Sequence, residues 1–203
     1  MEIKSLFLNR SSFGDSSNSG NILTTEEVKS LLDDWVLNGK LKVHMKQVGH
    51  LMKAFAVSKG YKELTIQKWY QAGLLHDADW DQWPDQHCRK IIGELEVRKI
   101  DPEIIRAIAS HGPSYFGVEP VSEMDKMLYA FDELSGFVHA YSLMRPEGYV
   151  GMEVKGVKKR LKDRTFAAQV SREDIADASD RAGIPVEELI QFVISNQGEA
   201  DLS

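Results

Sequence analysis

At 203 residues the chain is long enough for one ordinary domain with a sizeable core, or for one domain with a small appendage. Its net charge of −6 disfavours a general nucleic-acid binder, and no apolar run reaches the roughly 18 residues that a membrane span needs. The lone cysteine, Cys88, forms no internal disulfide and fits a reducing compartment, so a cytoplasmic protein is expected.

The first residues, MEIKSLFLNRSS, are too weakly apolar for a secretory leader, because Lys4, Asn9 and Arg10 interrupt them. Residues 10–21 are rich in Ser, Gly and Asn with little to bury, so 1–22 reads as a flexible tail. Thr24 and Glu27 have capping-box spacing ahead of Val28, Leu31, Leu32 and Trp35, which predicts a first helix ended by Asn38-Gly39. A second helix is expected from about Lys40 to Ser58, stopped by Gly60, and a third from Thr65 to His76. Residues 77–84 read as a loop carrying Trp80 and Trp83, and 85–97 as helical. Asp101 has an N-cap position with Pro102 first in a helix that ends near Ser110. After the break His111-Gly112-Pro113, a long helix is predicted from Ser122 to Met144, closed by Arg145-Pro146 and Gly148. Three shorter helices follow near 152–163, 172–182 (capped by Ser171) and 186–197. No stretch alternates like a strand, so the fold class is all-α: a helical bundle with a core over 23–150 and a helical extension over 151–203 packed on the same domain.

Six residues carry the chemical signal. His76 and Asp77 end an apolar helical run, where the chain leaves the core and both side chains can converge on a cleft. His44 lies before them, and His87, His111 and Asp132 follow at intervals suited to separate helices. Imidazole with carboxylate suits a divalent ion such as Mn, Fe, Co, Zn or Mg. Asp132 is a carboxylate amid an apolar run, where an unpaired charge is expensive and a metal or ion-pair partner is expected. His50 lies about 120° around the helix from His44 and should not share a ligand with it; it and His139 read as structural. Asp79 and Asp81 are close enough in sequence to act as acid or base beside the metal, or else are ordinary loop carboxylates. Trp80 and Trp83 could stack a base or sugar, although packing over the loop is the better reading. Lys155, Lys158, Lys159 and Lys162 share a helical face, which is either solvated or offered to substrate phosphate. Arg145 is a second phosphate candidate.

The ordered set His44 … His76-Asp77 … Asp132 resembles the H…HD…D pattern of the HD-domain metal-dependent phosphohydrolases. The likeness extends from about residue 24 to 198. It is similar to a group of bacterial and archaeal predicted HD-superfamily hydrolases in Leu74-Leu-His-Asp-x-Asp, the following Gln-His, Tyr129-Ala-x-Asp-Glu-Leu-x-Gly136, Arg145-Pro146 and the basic stretch 154–167. The resemblance implies an HD-domain bundle holding one or two divalent metal ions through His44, His76, Asp77 and Asp132, with His87 and His111 completing a second site or gripping phosphate. It also implies a small phosphorylated metabolite or nucleotide as substrate; read with it, the residues themselves offer Asp77 and Asp79 as catalytic candidates and Arg145, Lys155, Lys159 and Lys162 as phosphate-binding candidates. Two other readings stay open: a di-iron oxygenase, or a non-catalytic helical binding module with a structural metal. A homodimer is left open; a membrane or nucleic-acid partner is not expected.

Overall fold

The computed structural model describes residues 20–200 and residue 202. Among these, the chain folds into ten α-helices and no strand: α1 Thr25–Trp35, α2 Gly39–Ser58, α3 Glu63–Leu75, α4 Arg89–Val97, α5 Pro102–Ser110, α6 Pro113–Phe116, α7 Glu123–Ser142, α8 Val154–Leu161, α9 Arg172–Ala182 and α10 Val186–Asn196. The all-α expectation holds. No helix of the described residues is long and apolar enough to cross a membrane.

The caps explain most boundaries. Thr24 accepts from Glu27 N–H while the Glu27 side chain accepts from Thr24 N–H, the reciprocal box read from the sequence. Ser122 and Asp125 form a second box at the start of α7, and Ser171 caps α9. Asn38 was expected to end the first helix, but that helix stops at Trp35. Asn38 instead accepts from Lys40 and Leu41 N–H and starts α2. The fourth helix begins at Arg89 rather than at residue 85, because Pro84–Gln86 form a single 3-10 turn and His87 is extended. Helix α6 was read as part of a break. Pro113 at its first position and Gly117 in the left-handed region (φ 71°) delimit it.

Helices α2 and α3 cross at close range. A Cβ on Gly73 would sit 2.9 Å from the Gly49 backbone, so only glycine lets the two helices cross there. That crossing lies just behind His76. Phe131, Phe137, Met45, Leu51 and Met52 are fully buried between α2 and α7 and their neighbours, Phe55 stacks on Trp69 at 5.5 Å, and Phe131 stacks on Phe192 of α10 at 5.4 Å. Helix α9 packs against α7, and α10 against α7 and α2.

Residues 1–19 of the expected tail lie outside the described residues. Of the remainder, Asn21 N–H donates to Lys99 O at 3.0 Å and Asp101 N–H donates to Asn21 O at 2.8 Å, fastening this segment to the corner between α4 and α5. Leu23 is buried, and its backbone is held in both directions by the Gln71 amide.

Candidate metal centre

Five stretches of backbone deliver the six candidate residues to one place. His44 comes from α2, Asp132 from the middle of α7, and His76 and His111 from the C-caps of α3 and α5. Asp77 follows His76 in the turn, and His87 sits between the 3-10 turn and α4.

The ligand atoms of His44, His76, Asp77 and Asp132 all lie within 4.8 Å of one another. Asp132 Oδ1 is 2.9 Å from His44 Nε2 and 3.3 Å from His76 Nε2. Asp77 Oδ2 is 3.5 Å from His76 Nε2 and 3.9 Å from His44 Nε2. Two donors each about 2.1 Å from a common ion are separated by about 3.0 Å when adjacent and about 4.2 Å when opposite, so these spacings fit one small divalent cation. The other oxygen of Asp77 faces the other way. Its Oδ1 is 3.3 Å from His87 Nε2 and 3.6 Å from His111 Nε2. Asp77 therefore stands between two sets of imidazoles, one oxygen to each.

The far nitrogens are tied. His76 Nδ1 donates to Gly73 O at 2.7 Å, His111 Nδ1 to Ile108 O at 2.6 Å, and His87 Nδ1 to Asp79 Oδ1 at 2.6 Å. Fixing each Nδ1 as the donor leaves each Nε2 a lone pair directed at the cluster, which is how a metal-binding histidine is oriented from behind. His76 Nε2 is buried with no hydrogen-bond partner among the described residues, an orphan that would be costly unless it faced a cation. These features fit a metal.

Electrostatics agree. Burial by itself would pull the His76 imidazolium down, yet the Asp77 and Asp132 carboxylates push it up to about 9. Burial would raise both carboxyls, but the His76 charge beside them holds Asp77 and Asp132 well below the usual carboxylate range. The cluster thus holds a proton where it could hold a cation.

Cys88 also lies near His87 and His111. Its Sγ approaches His111 from the Nδ1 side at 3.7 Å and donates to Ile108 O, and burial pushes the thiol well above its ordinary value. It stays a thiol behind the imidazole. Asp79, expected as an acid or base, is fully buried: Oδ1 accepts from His87 Nδ1 and Oδ2 accepts from Ile91 N–H in the first turn of α4. It positions His87 and caps a helix. Asp81 accepts from Leu37 and Asn38 N–H and ties the loop to the corner between α1 and α2.

The cluster opens into a cleft of about 850 Å³ walled by residues of α6, α7 and α9 and of the loops around them. Trp80 lines it and meets His87 edge-on at 4.9 Å, whereas Trp83 packs on Trp35. None of the expected phosphate cations lines this cleft. Arg145 folds onto its own loop, donating to Gly148 O and Val150 O. Lys155, Lys159 and Lys162 stand exposed on α8 and just beyond it, and Lys158 pairs with Glu187. Residues that sequence reasoning did not single out do line it: Glu133, Asp174, Tyr115 and Phe116. Burial, then Asp132 and Asp174, pushes Glu133 up to about 8 despite the bond it accepts from Ser171 N–H. His50 and His139 lie outside the cleft lining, as expected.

No family model, no curated protein and no solved structure matches the chain.

Proposed function

We propose that the chain is a metal-dependent phosphohydrolase of the HD type, acting on a small phosphorylated compound with two divalent cations bridged by Asp77. The observation that carries this reading is the division of the Asp77 carboxylate, with Oδ2 toward His44, His76 and Asp132 and Oδ1 toward His87 and His111. The order of these residues along the chain is also that of the HD pattern, which supports the same class.

His44, His76 and Asp132 would hold one cation, and His87 and His111 the other. Bound there, the pair would neutralise phosphoryl charge and lower the pKa of water toward neutrality. The chain's own contribution is placement. Gly73 O, Ile108 O and Asp79 fix the imidazole tautomers, and the Gly49–Gly73 crossing sets the distance from α2 to the end of α3. Phe116 packs against His87 and His111, with ring centres 5.2 Å from each. With Arg and Lys absent from the cleft lining among the described residues, substrate phosphate would depend on the cations for positive charge.

The test is phosphate release from a panel of phosphate esters by protein prepared without chelator. Release that is lost on chelation, restored by Mn²⁺ or Mg²⁺, and absent in Asp77→Ala is expected. A fully metal-loaded protein that releases phosphate from no ester, or that consumes oxygen with bound iron instead, would overturn the reading.

A further inference from the structure

The cleft carries acidic side chains beyond the candidate ligands. Its floor carries Asp77 and Asp132, and two divalent cations there would leave the floor positive. Its walls carry the carboxylates of Asp85 and Asp174 and the Glu133 carboxyl, which burial and Asp132 keep largely protonated near neutral pH, and no lysine or arginine lines it among the described residues. These wall carboxylates do not belong to the ligand set.

Asp174 is the best placed of the three. Its Oδ1 accepts from the buried Tyr129 hydroxyl at 3.0 Å, and its own N–H is capped by Ser171 at 3.0 Å, so the side chain is anchored at the start of α9. Among the described residues neither Asp174 nor Asp85 has an ion-pair partner. The same cleft is lined by aromatic rings: Phe116, Trp80 at 49% exposure and Tyr115 at 67%. Exposed aromatic faces and carboxylates without an ion-pair partner in one cleft form a setting that attracts an organic ammonium group. Negative walls also repel a second phosphate or a carboxylate on the same ligand, and like-charge juxtaposition of this kind discriminates strongly between partners.

We infer that the substrate is a monophosphate ester carrying an ammonium group, with the phosphoryl end on the cation pair and the ammonium end against Asp174 and the aromatic wall. The inference rests on the phosphohydrolase reading for the phosphoryl end. Compounds with two or more phosphates are disfavoured by the walls that favour the amine.

Two non-hydrolysable probes separate the claims. Aminopropylphosphonate and propylphosphonate differ in the ammonium group, and their binding to the Mn²⁺-loaded protein is read by calorimetry near neutral pH. The amine is expected to bind about 10-fold tighter or more, which corresponds to about 1.4 kcal/mol. Asp174→Asn keeps an acceptor for Tyr129 but loses the charge, and should reduce the ratio to about one with propylphosphonate affinity retained. Asp177 also accepts from Tyr129, at 3.2 Å, but does not line the cleft, so Asp177→Asn should keep the full ratio. Equal binding of the two probes, weaker binding of the amine, or binding of neither would overturn the inference. Turnover of phosphoethanolamine and ethyl phosphate reports separately on the reaction. Selective amine binding without phosphate release from either ester would remove the phosphohydrolase reading and leave the specificity standing. Release from both at equal kcat/KM, with equal probe binding, would do the reverse.

Discussion

Two buried polar clusters hang from the same pair of helices, α2 and α7, and they are built to opposite ends. In the first, Gln47 Nε2 donates to His139 Nδ1 and to the Tyr149 hydroxyl, each at 3.1 Å, and Gln197 Nε2 donates to the same hydroxyl at 3.0 Å. The Tyr149 hydroxyl lies 3.0 Å from His139 Nδ1, closing a neutral ring of bonds. The acceptors left over, Gln47 Oε1 and Gln197 Oε1, carry no charge. Three residues before Gln47 and seven before His139, His44 and Asp132 belong to a cluster in which Nδ1 of His76, His87 and His111 is tied from behind and Nε2 of His76 has no hydrogen-bond partner among the described residues. Burial, and then the nearby His44, lowers His139, whereas the carboxylates raise His76 to about 9. One histidine is held neutral for packing, and the other is held where positive charge is wanted. Burial of polar groups alone does not mark a functional site; surplus negative charge with unpaired, pre-oriented lone pairs does.

The largest expected break in that contrast is Asp77→Ala. Losing both oxygens should remove both cations and lower phosphate release by about 10³-fold or more, checked by elemental analysis and turnover. Asp79→Asn acts one layer out. It keeps a neighbour for His87 but weakens its orientation, so affinity for one of two cations should fall about 10–100-fold in a metal titration while the other stays tight. On the neutral side, His139→Ala removes one bond each from Gln47 and Tyr149 and should cost about 1–3 kcal/mol in denaturant unfolding with metal content unchanged. Lost metal in that variant would erase the distinction between the clusters.

The smallest effect is in pH. His76 is raised above its unfolded value of 6.5, so its contribution is complete below that pH and fades as pH climbs toward about 9. Glu133, raised to about 8, adds to the same decline over its lower part. The metal-free protein should therefore melt several degrees lower at pH 9 than at pH 6.5, and the loaded protein should not. His139 acts on the other limb: with its pKa lowered, it costs stability as pH falls below 6.5. A flat or rising melting temperature from pH 6.5 to 9 in the metal-free protein would contradict the assignment of His76.

The candidate ligand set was legible as an ordered pattern: the His76-Asp77 doublet at the end of an apolar helix and Asp132 inside another are weak signals singly, and gain weight from His44 before them and His87 and His111 between them. The supporting residues were not. Asp79 looks like any loop carboxylate until folding brings Ile91 N–H and His87 to its two oxygens. The lysines of α8 share a face as the spacing required, but where that face points is decided by Val157, which is buried on the opposite account. Arg145 has a charge that suits phosphate and a neighbouring turn that claims it first. Asp174 and Tyr115 gave no signal at all, since an acid in a helix's first turn and an exposed tyrosine are ordinary until a cleft forms between them. The start of α4 failed at the same kind of place, since Asp79 from the preceding loop holds Ile91 N–H there, whereas the boundary between α1 and α2 failed because Asn38 starts the second helix instead of ending the first.

The most direct test is titration of metal-free protein with Mn²⁺ followed by electron paramagnetic resonance. Two ions bridged by the Asp77 carboxylate should bind per chain and give an exchange-coupled spectrum, reverting to an isolated-ion spectrum at about one ion in His87→Ala. Saturation without coupling, or no retained ion, would contradict a bridged pair.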